Sequence, residues 1–221
     1  MRRIGPHLPL GDGLVKAADR ALEIEATAIQ IFTDNPTAWR RRGEPPAELA
    51  EFRRRLGAAD IGPLSIHAPY LINLCGSDVE FWQKSVATMV NELRVGALYG
   101  ARFVVMHIGS HRGHGRKHGL RRLAEGIAAV FDESADLAGA PLLVLENAVG
   151  SGDGVGSRLE DLADAVELAA TARVDLDRLG LCLDTAHLWA QATRCAARLT
   201  WPPSSSRSIR SSGGSASSCS T

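Results

Sequence analysis

The chain has 221 residues, which fits one large domain or an incomplete α/β barrel. Hydrophobic residues make up 45%, enough for a substantial core, and no apolar run approaches the roughly 20 residues of a membrane span. Net charge is zero but uneven: all 25 acidic residues precede position 191, and the last 31 residues carry four Arg and no acid.

Strand-like and helix-like segments alternate in chain order. Ile4–Leu8 reads as a strand, then 14–25 as a helix; 28–32 as a strand, then 47–59 as a helix. Leu64–Ala68 follows as a strand with a helix over 78–99, and Phe103–His107 with a helix over 120–137. Leu142–Glu146 is paired with a helix over 159–171, and a sixth strand covers Leu179–Asp184. Repeated βα units with short connections argue for a parallel sheet. No GxGxxG follows the first strand, and chemistry-bearing residues end four successive strands. An open doubly wound sheet gathers its ligands at one switch point. The fold class expected is therefore α/β, a TIM (β/α)8-type barrel, incomplete, with about six βα units over 1–190.

After Ala190 the composition changes. Residues 191–221 hold ten Ser, two adjacent Pro and no acid, and are expected to be an aberrant or disordered tail, through a frameshift or as a natural variant. The start Met1-Arg2-Arg3-Ile4 has no signal-peptide hydrophobic region. The four cysteines (Cys75, Cys182, Cys195, Cys219) form no CxxC pair and are expected as reduced thiols in a cytoplasmic protein.

The chemistry sits at strand ends. His67 closes Leu64-Ser65-Ile66, His107 closes Phe103–Met106, Glu146 closes Leu142–Leu145, and Asp184 ends Leu181-Cys182-Leu183 with His187 three residues on. In a parallel barrel these ends converge on one face. A carboxylate ending four apolar residues is costly to bury unless paired or metal-bound. Five imidazole and oxygen ligands on one face point to hydrolysis with more than one metal. His7 reads either as a residue supporting these ligands or as core. His111, His114 and His118, with Arg112, Arg116 and Lys117, read as a solvated loop or a phosphate-contacting one. Arg40-Arg41-Arg42 could likewise touch a phosphate backbone, and Arg53-Arg54-Arg55 reads as an exposed helix face.

These segments resemble the endonuclease IV family of apurinic/apyrimidinic endonucleases, on the xylose isomerase-like barrel. The carriers are Ile4-Gly5-Pro6-His7, Phe32-Thr33 with Asn35 and Trp39, His67-Ala68-Pro69-Tyr70-Leu71-Ile72-Asn73-Leu74, His107-Ile108-Gly109-Ser110, Leu145-Glu146-Asn147, and Cys182–His187. The resemblance implies up to three Zn2+ ions in the complete family site, and fewer here. His67 and His107 would bind one and share it with Glu146, the metal-bridging catalytic residue; Asp184 would bind the second and His187 the third. It also implies double-stranded DNA with abasic sites as substrate, with Tyr70, Asn73, Trp39 and Arg112 on the contact face. The chain would act as a monomer, hydrolysing the phosphodiester 5′ to the lesion in base excision repair. Zinc lowers the pKa of bound water toward 7, which suits that chemistry.

Two departures stand out. Thr37 occupies a position where the family often has a basic residue, and the family's later motifs (a His, an Asp-x-His pair and a Glu) are absent. Impaired activity is the expectation. The alternatives are a xylose isomerase-like sugar isomerase or epimerase using Glu146 and Asp184 on one divalent metal, and a product with no activity.

Overall fold

A computed structural model of the chain describes residues 2–42, 44–150 and 152–200, the last eight by backbone alone. Its elements are β1 (His7–Leu8), α1 (Leu14–Glu23), β2 (Ile29–Ile31), α2 (Leu49–Ala58), β3 (Leu64–His67), α3 (Val79–Tyr99), β4 (Phe103–His107), α4 (Arg116–Glu133), β5 (Leu142–Glu146), α5 (Leu159–Thr171), β6 (Leu179–Cys182) and α6 (Thr185–Thr200). The strands form one sheet in the order β1-β2-β3-β4-β5-β6. Every neighbouring pair is parallel. A doubly wound sheet reverses its order at a switch point; a strictly sequential order with a helix after each strand follows the path of a barrel. Over the described residues the fold is a partial (β/α)8-type barrel with six βα units. Among the described residues, no helix is long and apolar enough to cross a membrane.

Helical periodicity explains how the outer layer packs. Helix α1 buries Leu14, Ala17, Ala18 and Ala21, the i, i+3, i+4, i+7 stripe of an amphipathic helix. Helix α3 starts at Asp78, whose side chain accepts from the Phe81 amide, and stops at Gly100 in the left-handed region, φ 71°. Phe52, Ile66, Met106 and Leu143 are fully buried in one contiguous core. Truncating Leu143 to Ala would cost about 2–5 kcal/mol by lost burial and the cavity left behind.

Strand register sets the site. His67 pairs with Val105, His107 with Glu146, and Glu146 with Cys182. Alternate residues of a strand share a face. His67, Val105, His107, Glu146 and Cys182 therefore lie on the same side of the sheet, at its C-terminal end.

Four departures from the expected element limits bear on the site and the tail. Strand β1 covers only His7–Leu8, because Pro6 has no amide to give to a ladder. Strand β6 ends at Cys182, because the Asp184 amide donates to the Asn147 side chain and leaves the ladder. Helix α4 starts at Arg116, so Arg116, Lys117 and His118 form its first turn and not part of a loop. Helix α6 runs through Ala190 to Thr200, so the expected tail is helical over its first ten residues. The rest of that tail, 201–221, lies outside the described residues.

Candidate metal centre

Four strand ends place the five expected ligands in two overlapping groups. The ligand atoms of His67, His107 and Glu146 lie within 4.8 Å of one another, as do those of Glu146, Asp184 and His187. Glu146, 7% exposed, belongs to both. Its Oε2 is 3.4 Å from His67 Nε2 and 3.7 Å from His107 Nε2, and its Oε1 is 3.6 Å from His187 Nδ1.

These separations discriminate. They exceed the roughly 2.7–3.2 Å of an N–H···O hydrogen bond. Two ligand atoms each roughly 2.0–2.1 Å from a tetrahedral zinc ion stand roughly 3.4 Å apart, which matches the first group. Tautomers agree. His67 Nδ1 is 2.7 Å from the Ala68 carbonyl, which can only accept, so Nδ1 carries the proton and Nε2 offers its lone pair toward Glu146. The Glu146 and Asp184 carboxylates converge with acceptor facing acceptor, an arrangement that a cation relieves. The residues fit a metal-binding role on these grounds.

The electrostatics favour metal-ready forms. Burial, and then the neighbouring His67, push the His107 pKa below its ordinary value, so the ring stays neutral further into acid. Burial raises the Asp184 carboxyl, but the His187 and Ala186 amides and the His187 ring outweigh it, and the group titrates below its usual range.

Asn147 is the residue that sequence reasoning passed over. It is fully buried. Its Oδ1 accepts from the Asp184 amide at 2.6 Å, and its Nδ2 donates to the Asp184 carbonyl at 3.1 Å. Its carbonyl stands 2.8 Å from His187 Nδ1 and orients that ring. The adjacency Glu146-Asn147 was the available signal; the side chain's partners nearly forty residues on were not visible.

Tyr70 lies over the histidines. Its ring centroid is 5.5 Å from His67, 5.7 Å from His107 and 5.3 Å from Phe32, and the residue is 53% exposed. Arg112 is exposed beside a cavity of about 360 Å³, lined also by Asn73, Phe81 and His114. Trp39 meets Phe81 edge-on at 5.1 Å.

Asn73 departs from its expected DNA-facing role. It is buried, its Oδ1 accepts from the Ser110 and Cys75 amides, and its Nδ2 donates to the Ser110 carbonyl. It ties the loop after β3 to the loop after β4. A Cβ at Gly109, φ 108°, would collide with its Oδ1, so glycine is required there.

Other expectations are corrected too. Arg41 is buried against Glu92, so only Arg40 and Arg42 of that run are exposed. Arg116 is engaged by Asp161 and Asp164, which turns it inward to α5. His7 is exposed and packs on Phe32 at 4.5 Å, so it is not core. Arg55 is half-buried between Glu51 and Asp19, unlike the exposed Arg54. Cys75 is free and buried, and its thiol donates to the Ile108 carbonyl; Cys182 is also free. The side chain of Cys195 and the whole of Cys219 lie outside the described residues.

A family model described as "Xylose isomerase-like TIM barrel" matches residues 18–204. The chain belongs to this family. A curated member, "Probable endonuclease 4" from Halothermothrix orenii, is 36% identical over 188 residues, 85% of this chain and 65% of the relative. The crystal structure of endonuclease IV from Thermus thermophilus is 38% identical with a TM-score of 0.71, covering 86% of this chain and 65% of that one. The chain thus spans just under two thirds of the length of these relatives. The structure of L-ribulose 3-epimerase, at 16% identity and a TM-score of 0.67, covers 85% of this chain and 62% of that one, and shares the xylose isomerase-like fold alone.

Proposed function

We propose that the protein is a zinc-dependent apurinic/apyrimidinic endonuclease, hydrolysing the phosphodiester 5′ to abasic sites in double-stranded DNA during base excision repair. One observation carries the reading: a single buried carboxylate, Glu146, faces two imidazole Nε2 atoms with one oxygen and shares a second group of candidate ligands with Asp184 and His187. The similarity to proteins named endonuclease 4, over 85% of this chain, supports it.

Imidazole and carboxylate donors suit zinc better than calcium or magnesium, which prefer all-oxygen sites. Zinc bound there would supply a low-pKa water and neutralise charge on the phosphate. The chain's own residues supply the frame. Glu146 would join the two halves of the site and so sets their spacing. His67 is oriented by the Ala68 carbonyl and His187 by the Asn147 carbonyl, which fixes where each ring points. Tyr70 offers an aromatic face above the histidines, on which a nucleotide beside the lesion could stack. Arg112, exposed at the neighbouring cavity, would meet backbone phosphate. The protein would work as a cytoplasmic monomer.

The test uses the purified chain, zinc and a duplex with one abasic site. Impaired but detectable incision leaving a 3′-hydroxyl, abolished by chelation, is expected. Interconversion of a free ketose without incision would replace this reading with the sugar isomerase one. Zinc bound at the cluster with neither reaction would favour the inactive alternative.

A further inference from the structure

The loop between β2 and α2 carries a buried charge pair that the site does not use. Glu92, on α3, is 1% exposed. Its Oε2 accepts from the Thr33 hydroxyl at 2.9 Å, and its Oε1 faces Arg41 Nε at 3.4 Å. Arg41 is also largely buried, with 11% of its side chain exposed. Glu92 Oε1 and Arg41 Nε and Nη2 find no hydrogen-bond partner among the described residues.

A buried ion pair that leaves three of its polar atoms without hydrogen bonds is a poor device for stability. Desolvation of both ions offsets their attraction, and apolar residues of similar volume would often hold the fold as well. What such a pair does supply is a defined geometry. Arg41 Nη1 donates to the Asn35 carbonyl at 3.0 Å. The carbonyl of the next residue, Pro36, accepts from the Tyr70 amide at 3.1 Å. Two residues before Arg41, Trp39 rests on Phe81, also from α3. Helix α3 therefore grips segment 35–41 at two points, and that segment in turn holds the backbone of Tyr70 above His67 and His107.

We propose that Glu92, acting through Arg41, is a positioning residue that sets the segment carrying Trp39 and, through Pro36, the Tyr70 platform over the metal ligands. The proposal rests on the functional reading above for its consequence in DNA binding, but not for its geometry.

The zinc-loaded protein and three variants decide it: Glu92→Gln, Thr33→Val, and the double replacement Arg41→Met with Glu92→Met. Amide exchange at Tyr70 is read against strand amides such as Val105, together with zinc content and the Kd for an abasic duplex. In E92Q, Tyr70 exchange should accelerate about tenfold with strand exchange and zinc content unchanged, because only the latch opens. The Kd should rise by about tenfold in the same variant. The double variant should match the wild type in melting temperature yet keep the fast Tyr70 exchange. Unchanged Tyr70 exchange in E92Q, equal acceleration across the sheet, or slow exchange restored in the double variant would each overturn the proposal. If E92Q does not fold, T33V, which removes only the hydroxyl donor, is read by the same criteria. A wild-type chain that binds no abasic duplex would defeat the functional reading while the exchange data still decide the latch.

Discussion

Asn147 and Asp184 clasp each other through two hydrogen bonds, one accepted and one donated by the Asn147 amide. The clasp joins the end of β5 to the end of β6 at the point where Asp184 leaves the ladder. Replacing Asn147 by Ala would leave the Asp184 amide without its partner and the Asp184 carbonyl with the Leu188 amide alone, at a cost of roughly 1–3 kcal/mol. N147A should therefore lose metal affinity at Asp184 and His187 while the His67–His107 side keeps its metal. Competition with a graded series of chelators measures this; equal weakening of both sides would show that the clasp does not separate them.

Glu146 faces both groups of ligands, so its loss should be felt twice. Residues that merely orient a ligand cost roughly 10–100-fold in metal affinity when removed. Glu146→Gln, which takes away charge from the shared position, should lower zinc affinity by more than about 100-fold relative to that scale. Zinc content after dialysis reads the outcome. Unchanged stoichiometry would place the metal elsewhere.

The convergence of the candidate ligands was legible because four of the five end apolar runs, and a parallel sheet sends such ends to one face. His107 and Glu146 pair directly in the ladder, as two runs of five residues suggest. The contacts that support them were not legible. Arg41 looks like the middle of a solvated basic run, yet it turns inward to Glu92, fifty-one positions away in sequence. Asn73 sits in a motif that reads as DNA-facing, but Ser110 and Cys75 occupy its amide. Period and composition report which face a residue takes, not which distant group it meets. The start of α4 was missed for a related reason: Arg116, Lys117 and His118 are polar, so the first turn shows no apolar period.

Helix α2 carries a pH-dependent contribution. Hydrogen bonds from Arg54 and then Arg55 hold the Glu51 carboxyl down to about 2, against an ordinary 4.5. A carboxyl depressed in the folded state adds stability that is fully present above its unfolded value and disappears as pH falls through its folded value. The Glu51 contribution should thus be intact above pH 4.5 and vanish toward about 2. Glu51→Gln should melt slightly below the wild type at about pH 7 and together with it near pH 2, because the pair is at the surface and screened. A gap that widens on acidification would contradict the assignment.

Under the proposed function, replacing Tyr70 should separate DNA binding from metal binding, since its ring lies over His67 and His107 and tyrosine is not among the usual zinc donors. It is 53% exposed on the open side, so truncation creates little core cavity and the fold should survive. Stacking of a base on an aromatic side chain is worth roughly 1–3 kcal/mol. Tyr70→Ala should weaken abasic-duplex binding by about tenfold to a hundredfold, with Tyr70→Phe close to the wild type, because the face and not the hydroxyl makes the contact. Zinc content should not change in either variant. Salt supplies the second dimension. Phosphate contacts release counterions and steepen the fall of affinity with salt, whereas stacking does not. Y70A should therefore keep the wild-type salt slope, and Arg112→Ala should make it shallower by about one unit. If Y70A also lost zinc, or flattened the slope as R112A should, the ring would be acting through the ligands or the backbone charge, and its place as a stacking platform would fall.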